Sequence, residues 1–390
     1  MTNETCSNDI FDSYPQGYWK VKEKKFINKY DALLLANKCQ SNVDYVYFDH
    51  VWEKFDRTLL GKYSLNYLYS QRAQQLRDQY DYLILYFSGG ADSYNVLRSF
   101  IDNNIHLDEV CVKWAKSTYD SHTKIYSPNT TDHTAYNYLS EWDYAIVPIL
   151  DYLSKYHPKI KITILDWFED KKIFQSADVF QKVNHWHDIE VSSLAIWSPS
   201  EQYFLDQGKK VASIYGIDKP TIYFDAASSY MIFSDAALCM GTPNTINPFG
   251  TEYFYYSPSF PELTFEMANV AAKSFETDPI LKNYKFTSQR RHDSKYMSDA
   301  HQIQQKRLRH ILYTTWTDRF QTLKPMLPNR QDKHFWIYQM QEISNYKEMY
   351  EDMRTQHLNQ LAGSWYLGNN QNKNITTDYT SIYTKKHIIW

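Results

Sequence analysis

Glycine is scarce in this chain, with 10 residues in 390 beside 13 prolines and 35 tyrosines. That excludes collagen-like and glycine-rich low-complexity architectures. Cysteine is scarcer still. Cys6, Cys39, Cys111 and Cys239 are the four present, and no two of them form a C-x-x-C pair. At this length and spacing a disulfide framework is not expected. Nor is a cysteine-rich zinc site, whose ligands come in close pairs. Neither sign of charge dominates: 42 basic and 45 acidic side chains give a formal net charge of −3. This argues against a nucleic-acid footprint over the whole molecule, though not against a local basic patch. No unbroken apolar run reaches membrane-spanning length. The N-terminus "MTNETCSNDIFDSYPQGYW" lacks the apolar core of a signal peptide. The expectation is a soluble cytoplasmic protein with no membrane partner, in which the sequons at Asn129 and Asn374 are chance matches.

What is present reads as globular: 43% hydrophobic and 17% aromatic residues suffice for a core without cross-links. Abundant Tyr, Asn, Lys and Ile is the bias that AT-rich coding produces, as in many phages and low-GC bacteria. A phage origin would make the host cytoplasm its setting.

Residues 1–80 read as an α+β leader. "DALLLANKC" (31–39) predicts a helix with Asp31 as N-cap, and "VDYVYF" (43–48) a short strand. "SLNYLYSQRAQQLRDQY" (64–80) predicts a helix burying Leu65, Leu68, Tyr69, Ala73 and Leu76, with Arg72 and Arg77 elsewhere. Residues 81–240 then alternate. Strands are predicted at 82–87, 109–114, 160–167, 210–216 and 221–225, and helices at 92–103, 139–157, 168–181 and 201–207. Such alternation predicts an α/β fold, a five-stranded parallel sheet covered on both faces. Residues 241–390 open with a turn-rich aromatic stretch and continue mostly helical. The tail "TDYTSIYTKKHIIW" either pairs as a strand or covers a surface.

Two of the few glycines stand side by side in "YLILYFSGGADSYNVLRSF" (82–100). They follow a buried strand and precede a helix. In a parallel α/β sheet, ligands bind beyond the carboxyl ends of the strands. Glycines there let the backbone turn tightly and bring its N–H groups close to an anion, which the helix N-terminus also attracts. Ser88 and Ser93 add hydroxyls. Asp92 suits a phosphate site when a divalent cation bridges the two, since a carboxylate plus phosphate oxygens is the usual way to hold Mg²⁺. The pattern is neither G-x-x-x-x-G-K-[ST] nor G-x-G-x-x-G.

"SGGADS" (88–93) resembles the pyrophosphate-binding loop S-G-G-x-D-S of the N-type ATP pyrophosphatases, the PP-loop superfamily. Its members include the synthetase domains of asparagine, GMP and NAD synthetases and several tRNA-modifying enzymes. The resemblance covers about residues 80–225 and implies a Rossmann-like (HUP-type) sheet. It also implies ATP cleavage between the α- and β-phosphates, with Mg²⁺. AMP is attached to a carboxylate or carbonyl oxygen, pyrophosphate leaves, and a nucleophile then displaces AMP. Carried over by position, Ser88, Gly89, Gly90 and Ser93 would contact pyrophosphate, and Asp92 would reach it through Mg²⁺. Adenine would lie near the ends of the first two strands, which makes Tyr86, Phe87, Val112 and Lys113 candidates.

Further clusters are open to two readings each. In "YGIDKP" (215–220), Lys219 neutralises phosphate charge and Asp218 holds a second Mg²⁺ or the incoming amine, or the segment is a plain turn. Asp225 is a weaker candidate of the same kind. "HWHD" (185–188) is a metal or acid–base site, or a structurally paired cluster. Asp166 and Trp167 end a predicted strand facing the same cleft. The basic segment 288–310, with Arg290, Arg291, Lys295, Lys306, Arg307 and Arg309, meets nucleic acid or an anionic substrate, or is a solvated helix face. "YYSPSFPEL" (255–263) is a rigid loop over a pocket or a packed connection.

Within the superfamily, the missing cysteine motifs disfavour thiolases, the queuosine-precursor synthetase and PAPS reductases. Thr2 stands where a glutaminase half would carry its nucleophilic cysteine, so the nitrogen donor would be ammonia, an amine or a separately delivered product. The expected function is an AMP-forming amide or C–N ligase acting on a small-molecule or nucleotide acceptor. The alternatives are a nucleic-acid base-modifying enzyme and a non-catalytic ATP- or AMP-binding module.

Overall fold

The computed structural model describes residues 10–27, 29–114, 145–166, 197–217, 219–235, 238, 247–285, 304, 307–316 and 382–390. Asp218, the 185–188 cluster, Trp167 and most of 288–310 lie outside the described residues.

The leader begins with a helical turn, α1 (Ile10–Ser13). Strands β1 (Tyr18–Val21), β2 (Lys24–Phe26) and β3 (Asp44–Val46) form an antiparallel sheet in the order β2-β1-β3. Helix α2 (Lys29–Cys39) starts two residues before Asp31, so that carboxylate lies in the first turn rather than at the cap. Helix α3 (Asp49–Lys54) follows. Helix α4 (Leu65–Gln79) is capped as its sequence predicts, with Ser64 Oγ accepting from Tyr67 N at 3.3 Å. Its five expected apolar residues are buried, and so is Arg72. That departs from the prediction, because Arg72 falls in line with Leu68 and Leu76 at helical spacing. A half-buried carboxylate partner, Glu252, accepts its guanidinium at 2.6 Å.

The central sheet contains β4 (Tyr82–Tyr86), β5 (Glu109–Trp114), β6 (Lys161–Asp166), β7 (Val211–Tyr215) and β10 (Thr251–Tyr253). It is five-stranded and wholly parallel, in the order β10-β7-β4-β5-β6. Helices α5 (Ala91–Ile101), α6 (Val147–Tyr156) and α7 (Pro199–Leu205) belong to its crossovers. Leu83, Ile84 and Leu85 have no exposed surface. Each such burial contributes about 1.5–3 kcal/mol.

One predicted strand is in a different sheet. β8 (Thr221–Phe224) pairs antiparallel with β9 (Ser229–Ile232), and β11 (His387–Ile388) extends that sheet. The reason is chain length: a parallel neighbour needs a crossover of a dozen or more residues, and only 216–220 separate β7 from β8. The fifth parallel strand is instead β10, from the aromatic stretch beyond residue 240. Helix α8 (Pro261–Thr277) buries Leu263, Phe265, Met267, Ala268 and Ala271 against the rest of the core. Among the described residues, no helix is long and apolar enough to cross a membrane.

Candidate functional site at the strand-order reversal

Counted by appearance along the chain, the sheet's strands stand third, second, first, fourth, fifth. The order reverses between β4 and β7, and the carboxyl end of such a reversal is where open α/β sheets hold ligands. Two loops meet there, one after β4 carrying 88–93 and one after β7 carrying Gly216 and Lys219.

The first loop is built as its sequence suggests. Gly89 adopts φ +74°, the left-handed region. A Cβ at Gly89 would stand 2.9 Å from Ile146 Cγ1. Ser93 Oγ accepts from Ser88 N at 3.2 Å and donates to the Gly90 carbonyl at 3.2 Å, while Gly90 N donates to Ser88 Oγ at 3.3 Å. The two serines thus fold the loop around themselves. Gly90 is the N-cap of α5 without a side-chain cap, and a Cβ there would meet only Ser88 Oγ, at 3.3 Å. The first-turn N–H groups of α5 have no partners within the helix.

Gly216, from the second loop, presses against this turn. A Cβ on it would stand 2.9 Å from Ser93 N and 3.0 Å from Asp92 C and O. Three residues on, Lys219 Nζ donates to Asp92 Oδ1 at 2.6 Å. The lysine side chain is only 2% exposed and the aspartate 24%, so the pair sits at the edge between core and solvent. The two loops thus meet in a direct contact between Asp92 and Lys219. Asp218 lies outside the described residues.

Two tyrosines complete the cluster. Tyr313 OH donates to the same Asp92 Oδ1 at 2.6 Å, and Tyr255 OH donates to the Asp92 backbone carbonyl at 2.8 Å. Their rings stack with centroids 5.6 Å apart, and Asn95 Nδ2 donates to Tyr255 OH at 3.1 Å. Burial first, and then the charge of Asp92, pushes the Tyr313 phenol far above its usual range. Burial does the same for Tyr255. Both hydroxyls are thus permanent donors. The sequence flagged Tyr255 only as part of a loop of undecided role, and nothing in it singles out Tyr313.

The other candidates separate. Phe87 and Val112 are buried core residues, and Phe87 N donates to the Cys111 carbonyl at 2.8 Å. Lys113 is half-buried, its ammonium 4.7 Å from the centroid of the Tyr86 ring. Burial lowers its pKa to about 8. Tyr86 stacks on Tyr215 at 4.8 Å and donates to the buried Glu201 at 3.4 Å. Burial pushes the Glu201 carboxyl up. Residues in register with Tyr86 and Ile84 include Cys111, Glu109, Tyr215 and Ser213. One face of the sheet thus carries a buried polar layer, which the apolar strand pattern conceals. Burial pushes the Cys111 thiol up, so it offers no thiolate.

Asp225 is the turn residue of the β8–β9 hairpin, accepting from Ala227 N at 2.9 Å and Ser228 N at 2.8 Å. Asp166 ends β6. Of the basic segment, Arg307 Nε donates to Asp278 Oδ2 at 2.7 Å.

The fold and site define an α/β protein with a Ser-Gly-Gly loop at the reversal of a five-stranded parallel sheet. Compared with known proteins, the chain matches no family model, no curated protein and no solved structure.

Proposed function

We propose that the protein is an ATP-dependent, AMP-forming ligase of the PP-loop kind, built on a HUP-type sheet and working in the cytoplasm. The observation that carries this reading is the meeting of Asp92 with Lys219 beside a glycine loop that opens a helix at the strand-order reversal. A helix N-terminus with unpaired N–H groups favours an anion, and the paired carboxylate and ammonium bring both signs of charge to it.

In the proposed reaction an acceptor carboxylate or carbonyl oxygen attacks the α-phosphorus of ATP. The bond from that phosphorus to the α–β bridging oxygen breaks, and pyrophosphate leaves with its electrons. A nitrogen nucleophile then attacks the adenylated carbon, loses a proton, and AMP departs. The chain's part is positioning and charge stabilisation. The α5 N–H groups and the Ser88 hydroxyl hold the pyrophosphate oxygens, and Ser93, whose hydroxyl donates to the Gly90 carbonyl, keeps the loop in shape. Lys219 acts through Asp92, holding its carboxylate at the mouth of the loop.

The residues fit a substrate-bridged Mg²⁺. Asp92 Oδ1 takes both side-chain donors, and Oδ2 accepts none among the described residues. Among the described residues no three His, Cys, Asp or Glu side chains gather as a metal site. The phosphates would then supply the remaining ligands, as is usual for Mg²⁺. When bound, the ion neutralises charge on the departing pyrophosphate.

The test is a label-tracing assay with Mg²⁺, ATP labelled at the α-phosphate and a small-molecule cell extract. Label is expected in AMP or an adenylated compound with the wild-type protein. Asp92→Ala is expected to lose at least 99% of this turnover while keeping its circular-dichroism spectrum, on the order of the effect of removing a charge-stabilising group. Full activity in that variant would sink the assignment.

A further inference from the structure

We propose that Tyr313 is a positioning residue of the loop site, which ties the segment 307–316 to metal-dependent nucleotide binding. The inference rests on the ATP reading above and goes beyond it, because nothing in the loop motif calls for a residue so far along the chain.

Asp92 is gripped from three directions. Lys219 and Tyr313 both donate to Oδ1 at 2.6 Å, and Tyr255 donates to the backbone carbonyl at 2.8 Å. An aspartate side chain turns about two bonds. With one oxygen taken by two donors, both rotations are restrained and Oδ2 is left as the oxygen available to a cation. The restraint matters because Mg²⁺ demands near-ideal octahedral placement of its ligands. Lys219 alone is a weak guide to orientation, since an ammonium is a rotatable point charge. The phenol is different: its ring is wedged by stacking on Tyr255, with Lys219 Nζ 5.4 Å from the ring centroid. Its backbone is held too, since Tyr69 OH from α4 donates to the Leu312 carbonyl at 2.9 Å. The segment 307–316 therefore reaches the site through one hydroxyl whose place is set by its neighbours.

Tyr313→Phe removes that hydroxyl and keeps the ring. The experiment titrates binding of α,β-methylene-ATP, whose α–β bridge cannot be cleaved, at stepped Mg²⁺ concentrations and again in EDTA. With wild-type protein, binding is expected to strengthen with Mg²⁺. In Tyr313→Phe the Mg²⁺ concentration for half-maximal effect is expected to rise about tenfold, the scale of one hydrogen bond to a charged group. Affinity in EDTA should stay near wild type, and the melting temperature should fall by no more than about 2–4 °C, the scale of one lost hydrogen bond to a charged group. Tyr69→Phe, which frees the Leu312 carbonyl without touching Asp92, should shift the Mg²⁺ dependence the same way by less. It carries the test if Tyr313→Phe does not fold.

An unchanged Mg²⁺ midpoint overturns the proposal. So does a lowered one, which would mean that the phenol only drains charge from the carboxylate. Equal losses with Mg²⁺ and in EDTA would reduce Tyr313 to a structural role and overturn it as well. If wild-type protein binds the analogue under no condition, the ATP reading itself fails and this inference falls with it.

Discussion

Three glycines around one helix N-terminus do three different jobs, and substitutions should separate them. Gly89 is needed for its left-handed backbone. Gly216 is needed because a side chain there would collide with the backbone of Asp92 and Ser93. Gly90 has an ordinary φ of −75° and open space beyond Ser88 Oγ. Neither backbone strain nor crowding therefore requires a glycine there. Gly90→Val is expected to weaken ATP binding tenfold or more while costing only about 1 kcal/mol of stability, the scale of a poor N-cap residue. Gly216→Ala is expected to lower both, since the colliding atoms are backbone. Calorimetric binding set beside thermal unfolding of each variant makes the comparison. A Gly90→Val protein with normal affinity would argue that no ligand approaches there. The doubled glycine and the turn it makes before α5 were legible in the sequence. The contact of Gly216 was not, because it depends on which strand lies next to β4.

At the scale of elements, α4 is the instructive case. Its apolar face, its cap and nearly its ends follow from sequence, because helical periodicity and a serine cap are local signals. The burial of Arg72 does not, because it depends on a carboxylate far along the chain. Arg72 Nη2 donates to Glu252 Oε2 at 2.6 Å, and Tyr80 OH donates to Oε1 at 2.5 Å. This strut fastens α4 to the edge strand β10, the strand that local patterning missed. Arg72→Met should destabilise the protein by about 3–5 kcal/mol, since removing one partner leaves a poorly solvated charge unpaired. Arg72→Met combined with Glu252→Gln should recover part of that loss. Urea unfolding of the two variants decides it, and a loss under 1 kcal/mol in the single variant would mark the pair as incidental.

At the scale of the molecule, the tail 382–390 is tied to the β8–β9 region and, through it, to the leader. Ile389 N donates to the Ser229 carbonyl and Ser229 N to the Trp390 carbonyl, each at 2.9 Å. Ile382 N donates to Asp235 Oδ1 at 2.8 Å, and Trp19 Nε1 from the leader donates to Oδ2 at 2.9 Å. One buried carboxylate thus joins the leader, the β8–β9 hairpin region and the tail. Deleting 382–390 would leave β9 as an open edge and uncover its apolar neighbours, a known route to association. The truncated protein is expected to melt at least about 2 °C lower, as loss of about 2 kcal/mol or more would cause in a chain of this length, and to form aggregates on size-exclusion chromatography. A monomer of unchanged melting temperature would contradict this. The tail's strand was one of two readings open from sequence, since a short strand shows its pairing only when its partner is in place. The sequence by itself determined the βα alternation and the strand–loop–helix at 82–101, with its glycine turn at Gly89. All of these rest on interactions within a few residues of one another. Only the tertiary structure decided that β10 completes the sheet, that Lys219 and Tyr313 share one oxygen of Asp92, and that one sheet face is polar. Those facts depend on which distant segments lie side by side, and periodicity carries no record of that.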